Sequence, residues 1–141
     1  MIQYLDTSLL VAALTNEAHT AHVQRWLASE PPMELAVSEW GVVEFSSALA
    51  LKSRTRQLGA AHRASALAAF TRLCNESLDV LDVRSRDFRT AERFVNQYAA
   101  GLRSGDALQL GIAANRGARL WTLDKAMTKA GVALGLNVQL L

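Results

Sequence analysis

Short apolar runs alternate along this chain with longer stretches of helical spacing, and most runs end on residues that cap or turn the backbone. Ile2-Gln3-Tyr4-Leu5 reads as a strand stopping at Asp6, after which Thr7 or Ser8 can cap a helix beginning Leu9-Leu10-Val11-Ala12-Ala13. A second helix is predicted over residues 18–29, with Ala18, Ala21, His22, Trp26 and Leu27 on one side and Pro31-Pro32 as its stop. Leu35-Ala36-Val37 is the next strand. Ser38 then starts a long helix running to about residue 56, and Gly59 marks the boundary to an alanine-rich helix over 60–75. Residues 78–83 alternate and are β-branched, which predicts a strand. Ser85 or Asp87 opens a helix that Gly101 stops, and another helix surrounds Asp106 and ends near 115–117. A strand over 119–123, a short helix from Lys125 and a last strand over 137–141 complete the pattern.

Strands alternating with helices from end to end predict an α/β fold, three-layer α/β/α, with a mostly parallel central sheet. No linker, repeat or low-complexity segment interrupts it, so residues 1–141 are expected to form one domain. Composition agrees: half the residues are apolar and 20% are charged, as in globular proteins. No apolar run approaches a membrane span, and no basic segment precedes an apolar one at the N-terminus. With the lone Cys74, which has no disulfide partner, this leads to the expectation of a cytoplasmic protein. The net charge of +2 is too small for a general polyanion binder, but the sign is uneven. Lys52, Arg54, Arg56, Arg63 and Arg72 follow one another without an acid between them, and Arg84, Arg86, Arg89 and Arg93 come next. Such faces suit a nucleic-acid backbone or simply water.

Ligand sites of parallel sheets lie at the carboxyl ends of strands, so acids just past strands carry weight. Asp6 follows the first strand, and Asp124 follows Leu120-Trp121-Thr122-Leu123. Glu44 falls on a helical stripe with Trp40, Gly41, Ala48 and Leu51, which reads as the core-facing side. Glu39 competes with it, but in the first turn beside Ser38 it is accounted for by the helix dipole. Asp106 also stands in a first turn, with Ser104 available as the cap, ahead of a helix apolar on most sides. Each acid alone has a plain reading as cap, dipole partner or turn residue. Together they need neutralising, and a hard cation such as Mg²⁺ or Mn²⁺ does that with oxygen ligands. Such a site serves hydrolysis of phosphodiesters.

Tyr4-Leu5-Asp6-Thr7-Ser8, Val37-Ser38-Glu39-Trp40-Gly41-Val42-Val43-Glu44, Leu102-Arg103-Ser104-Gly105-Asp106-Ala107-Leu108-Gln109-Leu110 and Leu120-Trp121-Thr122-Leu123-Asp124, in this order and spacing, resemble the PIN-domain ribonucleases. Within them the chain is most similar to the VapC-type toxins of toxin–antitoxin pairs. The resemblance covers the whole chain. It implies Asp6, Glu44, Asp106 and Asp124 as an acidic cluster around one or two Mg²⁺ or Mn²⁺ ions, with hydroxyl support from Thr7, Ser8 or Thr122. It further implies RNA as the substrate, attacked by a metal-activated water, a small cognate antitoxin as partner, and a homodimer. The family often has His where Gln109 stands, a departure that leaves the acids untouched.

His19, His22 and His62 have no acid or Cys at zinc-ligand spacing and read as surface or packing residues. Trp26, Trp40 and Trp121 each fall on an apolar stripe or strand and read as core. Arg103 suits either a neighbouring acid or an RNA phosphate. Two competing readings keep the fold: a nuclease acting on DNA, and a catalytically inactive interaction module whose acids merely cap helices.

Overall fold

The computed structural model describes residues 1–29 and 34–141, so the proposed Pro31-Pro32 stop lies outside the described residues. Five strands form one parallel sheet: β1 (Gln3–Leu5), β2 (Leu35–Ser38), β3 (Asp79–Leu81), β4 (Arg119–Thr122) and β5 (Val138–Leu140), in the order β3-β2-β1-β4-β5. The helices are α1 (Thr7–Leu14), α2 (Thr20–Ser29), α3 (Glu39–Arg54), α4 (Ala60–Glu76), α5 (Ser85–Asn96), α6 (Ser104–Asn115) and α7 (Lys125–Ala133). A single 3₁₀ turn, Tyr98–Ala100, lies ahead of Gly101, so α5 ends earlier than predicted.

Successive strand residues point to opposite faces, and the two faces build separate cores. Leu5 and Val37 pack with residues of α1 to α4, among them Leu9, Leu10, Val23, Phe45, Leu49 and Phe70. Tyr4, Leu120 and Val138 pack on the other face with Ala91 of α5, the buried run of α6 and Met127 of α7. The result is the three-layer α/β/α arrangement. The chain leaves β1 towards β2 and β3, then returns to β4 and β5 on the other side. The crevice outside the carboxyl ends of β1 and β4 is therefore the switch point where parallel α/β sheets bind ligands.

Local details depart from the sequence reading in four places. Neither Thr7 nor Ser8 caps α1. The helix starts at Thr7, Asp6 takes the cap position, and its carboxylate makes no cap bond. The helix predicted from residue 18 begins at Thr20, because residues before it form a turn in which Thr20 Oγ1 accepts from Glu17 N (2.8 Å) and donates to Thr15 O (2.9 Å). Its buried contact is Val23, with Trp26 and Leu27 half-buried and Ala18, Ala21 and His22 exposed. On α3 the core stripe is Gly41, Phe45 and Leu49, whereas Leu51 is 54% exposed and Glu44 half-buried beside the stripe. Gly41 explains the rotation: a Cβ there would stand 2.7 Å from Val37 Cγ2, so α3 lies hard against β2. Finally, Ser104 is the first residue of α6, not its cap; Arg103 holds that position without a side-chain bond. Ser38 does cap α3, accepting from Gly41 N at 3.0 Å. Among the described residues no helix is long and apolar enough to cross a membrane.

Candidate active site

Asp6 is only 5% exposed and sits where β1 ends, hydrogen-bonded through its backbone N–H to Trp121 O of β4 (3.0 Å). Its Oδ2 accepts from Ser8 Oγ (2.8 Å) and from Thr122 Oγ1 (2.7 Å), the last residue of β4. Ser8 Oγ also receives Leu123 N, and Thr122 Oγ1 receives Asp124 N, so the two strand ends are laced together around one carboxylate oxygen. Two of the three expected hydroxyls thus orient Asp6. The third, Thr7, accepts from Gln109 Nε2 at 3.0 Å instead.

Glu44 reaches the same crevice from α3, and Asp106 from the first turn of α6. Burial raises the Glu44 carboxyl above its ordinary range; a hydrogen bond from Gln109 opposes this, while the charges of Asp6 and Asp106 add to it. Burial likewise raises Asp106, helped by Asp6 and Asp124, with the Arg103 guanidinium pulling the other way. Glu44 Oε2 lies 3.6 Å from where a Cβ on Gly105 would stand, next to Asp106, and Asp6 and Asp124 add their charge to raise Asp106. Arg103 is thus the cation that acts on Asp106, without a salt bridge to it among the described residues. Glu39 stays exposed in the first turn of α3, where the helix dipole accounts for it. Asp124 caps α7, its Oδ1 accepting from Ala126 N (2.8 Å) and Met127 N (3.1 Å). It is a cap residue as well as a wall of the crevice.

None of the four acids forms a salt bridge among the described residues; the ion pairs present join Lys52 to Glu17, Arg84 and Arg116 to Asp82, and Arg116 to Asp87. Nor do three His, Cys, Asp or Glu side chains there stand close enough to enclose a metal directly. Clustered, partly desolvated carboxylates are nonetheless the kind of oxygen donors that a hard divalent ion takes.

The sequence marks Gln109 only as a departure from the family's usual His and assigns it no role. It is fully buried in α6 and hydrogen-bonded to three other elements, accepting from Tyr4 Oη and donating to Thr7 Oγ1 and to Glu44 Oε1 (2.9 Å). A signal was present: an amide in the middle of a buried run, Ala107-Leu108-Gln109-Leu110, must find partners. The three tryptophans behave as expected. Trp26 and Trp121 pack ring to ring at 4.8 Å, and Trp40 donates Nε1 to Gly105 O (3.3 Å). His19, His22 and His62 are exposed.

A family model for the PIN domain matches residues 3–133, and the chain belongs to that family. Its fold is similar to that of the Mycobacterium tuberculosis toxin VapC20, described as cleaving the sarcin–ricin loop: 21% identity, TM-score 0.73, covering 92% of this chain and 95% of that one. VapBC2 from Rickettsia felis, solved bound to a DNA fragment of its promoter, aligns at 17% identity and TM-score 0.68 over 100% of this chain and 99% of that one. VapBC-1 from nontypeable Haemophilus influenzae aligns at 17% identity and TM-score 0.69, covering 99% and 97%. No curated protein sequence matches the chain.

Proposed function

We propose that this PIN-domain chain is a Mg²⁺- or Mn²⁺-dependent endoribonuclease and the toxin component of a toxin–antitoxin pair acting in the cytoplasm. The observation that carries the reading is the clustering of Asp6, Glu44, Asp106 and Asp124 at the switch-point crevice, none of them in a salt bridge among the described residues. A divalent cation held by these carboxylates would supply an activated water and stabilise charge developing on the phosphoryl group. The residues themselves fix the geometry. Ser8 and Thr122 hold one oxygen of Asp6, Gln109 holds one of Glu44, and the backbone amides of α7 hold one of Asp124. The exposed side chains of Arg89 and Arg93 on α5 and of Lys125 beside Asp124 give a polyanion something to meet.

Cleavage of an RNA by the purified chain is expected with Mg²⁺ or Mn²⁺ and is expected to stop in EDTA. Chelator-insensitive cleavage would sink the metal reading, and cutting confined to DNA would move the substrate class.

The similar folds of VapBC proteins support an antitoxin partner for this chain. A homodimer is supported by an apolar groove bounded by Trp40 of α3, Phe88 and Val95 of α5 and Leu108 of α6, in which Phe88 is 56% exposed. Phe88→Glu is expected to halve the mass seen by light scattering while the circular dichroism stays that of the folded protein. An unchanged dimer would place the contact elsewhere.

A further inference from the structure

We propose that Gln109 is a positioning residue of the acid site: through its carboxamide it holds Glu44 and Thr7 in the geometry that receives the cation. The inference rests on the metal-dependent reading above.

The hydrogen-bonding capacity of one amide makes the case. A glutamine side chain offers two N–H donors and a carbonyl acceptor. Here both donors are committed, one to Glu44 Oε1 at 2.9 Å and one to Thr7 Oγ1 at 3.0 Å. The carbonyl takes the Tyr4 hydroxyl. Tyr4 is fully buried, and burial pushes its phenol upward, so the hydroxyl keeps its proton and donates to Gln109. Ser38 Oγ, 2.7 Å from Tyr4 Oη, accepts from Gly41 N at the start of α3 and donates its own proton to the phenol oxygen. Every donor and acceptor in this chain of groups has one assignment, so the amide cannot turn over without breaking several bonds.

The consequence concerns what is held together. Tyr4 belongs to β1, Ser38 to the end of β2, Glu44 to α3, Thr7 to α1 and Gln109 to α6. The same helix carries Asp106 one turn earlier, so the carboxamide ties the element bearing one acid to the side chain of another. Gln109 Nε2 is the side-chain donor to Glu44 Oε1 among the described residues. Without the amide, a long, half-buried glutamate repelled by Asp6 and Asp106 would swing away from the crevice. Outer partners that orient metal ligands typically change affinity by about 10–100-fold when removed.

Mn²⁺ titration by calorimetry on the full chain tests this, with RNA turnover in parallel. In Gln109→Met, which keeps the volume and loses the amide, Mn²⁺ affinity is expected to fall by about 10–100-fold while the protein stays folded. In a Glu44→Gln background the same substitution is expected to have much less effect, because the side chain it positions no longer carries the charge. Gln109→Asn serves if Gln109→Met does not fold; its shorter amide cannot reach Glu44 and is expected to lose affinity in the same way. Unchanged Mn²⁺ affinity in either folded variant, or equal losses with and without Glu44, would overturn the role of Gln109. A wild-type chain that binds no Mn²⁺ would instead overturn the metal reading itself.

Discussion

Asp106→Asn is expected to cost at least about 10³-fold in RNA cleavage, or about 4 kcal/mol of transition-state stabilisation, and at the same time to raise the melting temperature of the metal-free protein. The two effects have one origin. Asp106 stands half-buried among acids, and burial first, then Asp6 and Asp124, makes its ionised form unfavourable in the fold. The Arg103 guanidinium offsets this only in part, so the carboxylate is a cost that a bound divalent ion would reverse. The amide keeps size and shape and removes the charge, so it relieves the metal-free fold and weakens the metal-loaded one. The competing account makes Asp106 a partner of the α6 dipole; its loss would then lower stability by about 0.3–1 kcal/mol. The sign of the shift in melting temperature therefore separates an acid held for function from one held for helix stability.

The pH dependence follows from the same groups. Glu44 and Asp106 are both raised from ordinary values of 4.5 and 3.8. Groups raised in the fold contribute stability that is fully present below those ordinary values and is lost as pH rises through the folded ones. Asp82 and Asp87 are lowered from 3.8, so the stability they add is lost only as pH falls through values lower still. As the solution is acidified towards those ordinary values, the metal-free protein should therefore become more heat-stable. Mn²⁺ should stabilise it most at pH 7, and its effect should shrink towards pH 5 as protons compete for the same oxygens. Asp106→Asn should show a flatter profile. A wild-type melting temperature that only falls on acidification from pH 7, with or without Mn²⁺, would contradict the placement of these acids.

What could be read in advance was whatever local pattern controls. Asp6 and Asp124 were visible because a strand end is marked by the residues on either side of it, and α6 because an apolar run announces burial. Glu44 was picked for a partly wrong reason. The stripe through Trp40, Gly41, Ala48 and Leu51 is rotated from the true core stripe of Gly41, Phe45 and Leu49. That rotation is set by the contact of Gly41 with Val37, a fact of packing that helical spacing does not carry. Gln109 shows the limit more sharply. Its buried position was predictable, but its work depends on Tyr4, Thr7 and Glu44, which three separate elements bring to it. Ser104 and Thr7 show the reverse error, since a residue able to cap a helix does so only if the backbone ahead of it turns there.

Asp87 was read only as a possible opener of α5, and it carries the largest stability effect expected outside the crevice. Its side chain is completely buried. It accepts from Arg84 N (2.8 Å), from Asn115 Nδ2 (2.8 Å) and from Arg116 Nη1, which lies 2.9 and 3.1 Å from its two oxygens. Burial alone would raise its carboxyl; the hydrogen bonds from Asn115 and Arg84 and the charge of Arg116 outweigh burial and hold it below the usual range. Arg116 also donates Nη2 to Asp82 O (2.7 Å), so a single guanidinium at the end of α6 clasps the start of α5. Arg116→Met leaves the Asp87 charge buried without its partner, and the expected loss is about 3–5 kcal/mol in urea unfolding. Replacing both residues, as in Asp87→Leu with Arg116→Met, should recover a large part of that loss, because the isolated charge leaves with its partner. Arg84→Met, which removes only an exposed pair with Asp82, should change stability little. The clasp sits at the far end of a 12-residue helix, about 15 Å along its axis from Asp106. The fraction of Arg116→Met that remains folded should therefore bind Mn²⁺ like the wild type. Weakened binding in that folded fraction would mean that the clasp also sets the pose of α6 at the acid site.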